Sequence, residues 1–374
     1  MKIVYCISAL HNSAGMERII TEKANYLAEN GHDITILTAE QQGKPIYYPL
    51  NNRIIHRDLG INYSEHNSII KKTITYFFKR RKHKKRISEF LYSERPDIVI
   101  STMGNELFFL HSIKDGSKKI AEIHFTRYYR ILNHRKFPWN IIDRLRCFQE
   151  RLVVSKYDRF VVLTNEDALN WPSLNNLTVI PNFIAIEDSF KTDITYNRLI
   201  SVGRLVYQKG YDRLIEACKL IRNSLENKWT IDIYGAGELH DQLQTMIEDA
   251  ALGNIIKIHH PVKDIKSQII KSDGILFTSR FEGFSMVLLE AMACGIPAVS
   301  FDAPCGPKDI IDNGQDGLLV QNGNVEIFAK ALLRFIRDKE LRSVLSKNAR
   351  NKALQYERSI VMNKWITLFN DILK

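Results

Sequence analysis

The stretch that decides the fold is TSRFEGFSMVLLEAMACGIPAVSFDAPCGPKDIIDNGQDGLLV, residues 278–320. It opens at the end of an apolar strand, 275–278, and breaks at Glu282-Gly283. The spacing predicts a helix over 285–293, ended by Gly295 and Pro297, and then a buried strand over 298–301. Strand, loop, helix and strand in that order are the unit from which parallel α/β sheets are built. Two carboxylates stand in it. Glu282 lies in the loop, and Glu290 lies on the helix about one and a half turns from its start. The N–H groups of Gly283, Phe284 and Ser285 at the helix start lack intrahelical partners, which makes an anion site. Carboxylates beside such a site suit hydroxyl groups, which donate hydrogen bonds to them. A ligand with phosphates and several hydroxyls, such as a nucleotide sugar, fits both. Glu282 alone also reads as a charge favouring the helix dipole. Glu290 sits between Val-Leu-Leu and Ala-Met-Ala, and a charge in so apolar a helix needs partners.

Around this unit the chain has 374 residues, 45% hydrophobic and 25% charged, the composition of a globular protein long enough for two domains. No apolar run reaches the roughly 18 residues of a membrane span. MKIVYCISAL reads as a first buried strand, too short and without the cleavage site of a signal peptide. Cys6, Cys147, Cys218, Cys294 and Cys305 are scattered, with neither metal spacing nor a paired framework, and are expected as reduced thiols in the cytoplasm. The formal charge is +11, much of it local: KKTITYFFKRRKHKKR, residues 71–86, holds nine Lys or Arg and no acid. A solvated helix face, an anionic membrane surface and nucleic acid are its possible readings. Tyr76, Phe77 and Phe78 beside the charges favour the membrane interface over nucleic acid.

In chain order, strand one spans 2–8 and hands over through His11-Asn-Ser-Ala-Gly15 to an amphipathic helix over 16–29. Gly15 permits close backbone approach at the usual phosphate position of a doubly wound sheet. Further strands are expected at 34–38, 97–101, 119–123, 160–164 and 177–180. His124 follows the end of the 119–123 strand and is expected to face the cleft, since ligands bind at that edge of an open α/β sheet. A lone histidine is as readily structural. The N-terminal domain is placed at 1–182, a linker at 183–198, a second domain at 199–352 and a C-terminal helix at 353–374, with Trp365 and Phe369 packing back on the first domain. The second domain opens with a strand ending at Gly203. Arg204 and Lys209 flank the turn that follows, either as a pyrophosphate clamp or as surface cations. Strands at 230–234, before Gly235-Ala-Gly237, and at 255–259 come next.

The order of these motifs resembles the family-four retaining glycosyltransferases with the GT-B fold, two Rossmann-like domains facing each other across a cleft. The likeness covers nearly the whole chain: Gly15 to Arg18, Gly203-Arg204 with Lys209-Gly210, Gly235-x-Gly237, the Glu282/Glu290 pair and residues 314–320. It implies that Arg204 and Lys209 bind the donor diphosphate, that Glu290 holds the nucleotide ribose and Glu282 the sugar hydroxyls. It also implies that amides at Gly283, Phe284, Ser285 and Gly15 face phosphate and sugar. His124 matches the family's first-domain histidine near the anomeric centre, and Val262 and Lys263 would read the base. The Ala-Pro-Cys-Gly-Pro loop after Phe301 departs from the commoner Gly-Gly-x-Pro and resembles the subgroup acting on galactose-type or N-acetylhexosamine donors in surface polysaccharide assembly.

Cleaving a sugar–phosphate bond builds negative charge on the diphosphate, and Arg204, Lys209 and helix starts supply fixed positive potential there. No Asp-x-Asp occurs, so no metal is expected, and no cofactor is expected beside the nucleotide-sugar co-substrate. The implied reaction is a retaining, metal-independent transfer of a hexose or N-acetylhexosamine from a UDP-linked donor. Its saccharide acceptor would be carried on a polyprenyl diphosphate, with the enzyme peripheral on the inner membrane face. A sugar-nucleotide 2-epimerase shares the fold and would act without an acceptor. A phosphorylase would need a lysine-linked cofactor that nothing marks. A nucleic-acid-binding protein would leave the glutamate pair unexplained.

Overall fold

The computed structural model describes residues 1–63, 69–133, 136–186, 196–226 and 228–374. The side chains of 69–74 in the basic segment, and 187–195 of the expected linker, lie outside the described residues. Among those described, thirteen strands form two wholly parallel sheets. The first holds β1 (Lys2–Ile7), β2 (Asp33–Thr38), β3 (Ile55–Asp58), β4 (Ile98–Ser101), β5 (Lys118–Glu122), β6 (Arg159–Val162) and β7 (Leu177–Val179) in the order 3-2-1-4-5-6-7. The second holds β8 (Arg198–Val202), β9 (Thr230–Tyr234), β10 (Ile256–His259), β11 (Gly274–Phe277), β12 (Ala298–Phe301) and β13 (Gly317–Val320) in the order 10-9-8-11-12-13. Both are doubly wound, as expected.

Burial explains why these segments are strands. Ile3, Val4, Tyr5, Cys6 and Ile7 are all buried, as a central parallel strand covered by helices on both faces requires. β1 pairs with β2 and β4 at once, Tyr5 lying opposite Ile36 and Ile100. β8 does the same in the second sheet, with Ile200 opposite Asp232 and Ile275. The strand order reverses at β1/β4 and at β8/β11, and there a crevice opens beyond the carboxyl ends of the strands.

Two strands were absent from the sequence reading. β3, Ile-His-Arg-Asp, lies at an edge and is mostly exposed, so it lacks the apolar run that marks the others. β13 lies at the other sheet's edge, beyond β12. The last helix, Arg358–Leu373, buries Val361, Met362, Trp365 and Phe369 against Ile3, Tyr5, Ile34 and Ile100 of the first sheet. Before it, Ile184 donates to the Tyr356 carbonyl at 2.9 Å and accepts from the Arg358 amide at 3.1 Å. The two crossings between domains therefore lie side by side.

Candidate active site

Close backbone approach builds the loops after β8 and β9. The Leu205 amide donates to Ala236 O at 2.9 Å, and the Leu239 amide donates to Leu205 O at 3.0 Å. A Cβ on Gly237 would stand 2.4 Å from that Leu205 oxygen, so a side chain there would force apart the loops after β8 and β9. The helix of the quoted stretch spans Met286–Ala293, one residue shorter than expected, with Ser285 as its cap. Among the described residues the amides of Gly283, Phe284 and Ser285 have no backbone acceptor, and the buried Ser285 Oγ has no partner. The N-terminus of this eight-residue helix therefore opens as a donor cluster.

Both carboxylates have cationic partners. Lys209 Nζ donates to Glu282 Oε1 at 2.8 Å, within the second domain. Arg18 Nη1 donates to Glu290 Oε1 at 2.6 Å, and Arg18 belongs to the first helix, Gly15–Glu29, of the other domain. Its Nε also donates to Glu22 at 2.8 Å. Burial pushes the Glu290 carboxyl up, and Arg18 pulls it part of the way back. Sequence reading named Arg18 only as part of the Gly-x-Glu-Arg helix start. Its partner stands 272 residues away, beyond the reach of any local pattern. In each carboxylate the second oxygen, Oε2, has no hydrogen-bond partner among the described residues.

Arg18 and Glu290 line a cavity of about 540 Å³ between the domains, with Tyr47, Tyr48, Val262 and Lys263. Val262 and Lys263, expected to read a base, are thus in the same cavity as the carboxylate expected to hold a ribose. Arg204 is exposed at the start of the 203–210 loop, with no carboxylate at ion-pair distance among the described residues. At Gly15 an added Cβ would meet nothing within 4 Å, so protein packing does not demand glycine there. Gly283 is the opposite case: a Cβ would lie 2.5 Å from His124 O and from Phe125 Cα. Here the second domain's helix start touches the loop after β5.

His124 differs from expectation. Its imidazole does not face the cleft. It is 3% exposed and turned inward, with Nε2 3.1 Å from Glu122 Oε1, while its backbone meets Gly283. The cause is a buried charge cluster. Lys23 of the first helix donates to Glu122 Oε1 at 2.5 Å, and its ammonium lies 3.5 Å from the centre of the Trp365 ring. Burial would push Glu122 up, but Lys23 and then His124 outweigh it and bring the carboxyl to about 2. A lysine inside the apolar stripe of an amphipathic helix was the available signal for this cluster.

Polar contacts also join the domains on the far side of the site. Asp309 accepts from the Asn165 amide at 2.8 Å, and the Cys305 amide donates to Glu166 Oε2 at 2.8 Å. Cys305, in the Ala-Pro-Cys-Gly-Pro loop, is buried at this seam with φ +62, in the left-handed region. All five cysteines are buried and free. Among the described residues no cluster of His, Cys, Asp or Glu could hold a metal ion, and no helix is long and apolar enough to cross a membrane. The basic segment lies in the helix Ile69–Glu94. Arg81, Lys82, Lys84, Lys85 and Arg86 are exposed, as are Phe77 and Phe78, whereas Tyr76 packs against Tyr63.

Comparison with known proteins divides the chain as the sheets do. The family described as Glycosyltransferase Family 4 matches residues 13–188, and Glycosyl transferases group 1 matches 184–352. An amylovoran biosynthesis glycosyltransferase of Erwinia amylovora is 28% identical, with 100% of this chain and 99% of the relative covered. A Campylobacter jejuni α-1,4-N-acetyl-D-galactosaminyltransferase, named for a GalNAc-α-(1→4)-GalNAc-α-(1→3)-diNAcBac-PP-undecaprenol acceptor, is 24% identical over 100% of this chain and 99% of its own. Among solved structures, TarM of S. aureus, determined with UDP, fondaparinux and α-GlcNAc-glycerol, superposes with a TM-score of 0.75 over 99% of each chain at 17% identity. At that identity the likeness is one of fold, the GT-B arrangement of two Rossmann-like domains.

Proposed function

Since the chain belongs to the glycosyltransferases of family four and group 1, we propose that it is a retaining, metal-independent transferase using a UDP-linked hexose or N-acetylhexosamine. The acceptor is a saccharide carried on a polyprenyl diphosphate, in polysaccharide or glycan assembly. The observation that carries this reading is the cavity between the domains, where Glu290 keeps an oxygen for a vicinal diol beside Val262 and Lys263. The relatives' amylovoran and undecaprenol-diphosphate names, and the UDP complex of a fold neighbour, support the choice of nucleotide and acceptor by likeness.

In this reading the uracil packs by Val262 and meets backbone groups at Val262 and Lys263. The ribose hydroxyls donate to Glu290. The diphosphate lies across the amides of Gly283, Phe284 and Ser285, against Arg204 and Lys209, with Gly15 leaving room on the opposite wall. Glu282 accepts from the sugar hydroxyls and is oriented by Lys209. Charge developing on the leaving diphosphate meets cations and amides already in place, so little reorganisation is needed. The acceptor hydroxyl attacks from the face that the diphosphate leaves, and no side chain serves as nucleophile. The His124 backbone meets Gly283 at the edge of this site, so His124, with its ring turned inward beside Glu122, positions the loop rather than touching the sugar. The exposed cations of 71–86 hold the first domain at an anionic membrane, each contributing about 1 kcal/mol at low salt.

The test is calorimetry and thermal shift across nucleotide sugars, then Glu290→Ala. UDP-sugars should give the largest shifts. Loss of a charged hydrogen bond of about 1.5–3 kcal/mol should weaken their binding roughly tenfold or more. Unchanged donor binding in Glu290→Ala would sink the ribose assignment. Conversion of the donor to its C2 epimer without acceptor would replace the transferase with an epimerase.

A further inference from the structure

The helix Trp139–Val154 is folded inside out. The residues it buries are Asp143, Cys147, Glu150 and Val154. Glu150 lies 3.6 Å from both Arg130 and Arg146, and the Cys147 thiol donates to Arg127 O at 3.6 Å, so the inward side is largely polar. The outward side is apolar. Ile141, Leu145, Phe148 and Leu152 recur at four- and three-residue steps, which draws one stripe along the helix. They are 50%, 59%, 57% and 49% exposed. Ile142 flanks the stripe, and Phe137 and Trp139 are exposed where the helix begins, Trp139 on the line of Asp143 and Arg146 rather than in the stripe. Monomeric proteins rarely leave contiguous apolar patches beyond a few hundred Å² in water.

We propose that this stripe docks in the interfacial layer of an anionic bilayer, as the apolar half of a membrane-binding face whose basic half is the helix Ile69–Glu94. It deepens the peripheral association proposed above and rests on that reading. Two observations select a lipid surface. The exposed residues from 136 to 152 include Lys136 and Arg144 and no acid, because Asp143 and Glu150 are turned inward. A second copy of this chain, at +11, would bring like charges together on such a face, whereas anionic headgroups complement it. The helix that carries the stripe is also joined to the basic helix through Phe108. The Phe108 ring lies 5.5 Å from the Arg146 guanidinium, and its carbonyl accepts from Arg80 at 3.2 Å. Phe108 then lines, with Phe77, Phe78, Arg81 and Lys84, a cavity of about 520 Å³. The sixteen-residue helix is amphipathic, so it lies in the membrane plane with its charged side on the protein.

The two halves differ in their response to salt. Electrostatic attraction by 71–86 fades as the Debye length shortens, and burial of Ile141, Leu145 and Phe148 does not. The test uses the full chain and vesicles of phosphatidylcholine with or without phosphatidylglycerol, at about 0.1 M and about 0.5 M salt. Trp139 is a built-in reporter, since Trp171, Trp229 and Trp365 are buried. Wild type should co-sediment with phosphatidylglycerol vesicles at both salts, and any blue shift that Trp139→Phe removes shows that the start of the helix also meets lipid. The triple change Ile141→Ser, Leu145→Ser, Phe148→Ser should lower partitioning at high salt by about tenfold or more. Changing Lys79, Arg80, Arg81, Lys82, Lys84 and Lys85 to Gln should abolish mainly the low-salt gain. UDP-sugar binding should persist in every variant, and its absence in wild type would refute the donor reading and leave the membrane result standing. A wild type that co-sediments with no vesicle at either salt overturns the proposal without recourse to any variant. So does a wild-type dimer that the triple change dissociates, which would make the stripe a self-interface.

Discussion

Replacing Arg18 by methionine should weaken UDP-sugar binding by about tenfold to thirtyfold near neutral pH, and by more in mild acid. Arg18 and Glu290 lie on different domains and meet at 2.6 Å, with side chains 41% and 16% exposed. Removing one partner of a fully buried pair costs about 3–5 kcal/mol. The half-open Arg18 brings that down towards the roughly 1.5–2 kcal/mol of a charged hydrogen bond, which is tenfold to thirtyfold in affinity. The pH dependence has a definite sign. In the proposed reading a ribose diol donates to the Glu290 carboxylate, so donor binding needs Glu290 ionised. Burial already pushes this carboxyl up, Arg18 opposes the rise, and Glu22 adds to it. Without Arg18 the carboxyl rises further, and binding should fail at a higher pH as the solution is acidified. Lys263, Asp264, Lys266 and Arg350 also border the cavity and stay in place in the variant. The assay is calorimetry with one UDP-sugar, whose esterified diphosphate does not titrate here, from about pH 5 to about pH 8. Arg18→Lys should restore part of the affinity and most of the pH profile. A methionine variant within twofold of wild type at every pH would refute the coupling between Arg18 and the ribose site.

Arg204→Ala and Lys209→Ala should each lower turnover by about two to three orders of magnitude, as loss of a preorganised charge does, with EDTA leaving wild type unaffected. EDTA inactivation reversed by manganese or magnesium would contradict the metal-independent reading. His124→Ala should reduce turnover more than donor affinity, and wild-type turnover would leave the imidazole a purely structural part. In the buried cluster, Glu122→Gln and Lys23→Met should each cost about 3–5 kcal/mol of stability, because each removes one partner of a buried ion pair. The double variant should cost less than the sum, as denaturant melts would show. Glu122 is depressed to about 2, so its contribution is present above its ordinary pKa of about 4.3 and is lost as pH falls from there through about 2. An acid melt of Glu122→Gln should lack that loss, and one that follows wild type through the same window would count against the cluster.

What could be read in the chain beforehand depended on how local its cause was. β1 announces itself because burial on both faces of a parallel sheet demands an apolar run, and Ile3 to Ile7 supply it, while β12 does so with only Ser300 interrupting Ala298, Val299 and Phe301. β3 meets water at a sheet edge, and Ile-His-Arg-Asp carries no such demand. The carboxylates at 282 and 290 were legible because two acids eight residues apart around a helix start are a local pattern. Their cations were not equally so. Lys209 lies in the same domain at a strand-to-helix turn, a recognisable place. Arg18 reaches Glu290 only because two domains close on each other, and the charge pair is a property of that closure. The helix Trp139–Val154 marks a further limit. Apolar spacing at 141, 145, 148 and 152 says that a stripe exists, and the usual inference assigns a stripe to the core. Here Glu150 and Asp143 take the inner side, where Arg130 and Arg146 neutralise Glu150. Amphipathicity therefore identifies two faces without saying which one meets the protein. That choice falls to the charged partners: Arg146 is an i,i+4 neighbour on the same helix, whereas Arg130 comes from outside it, a pairing that only the folded chain reveals.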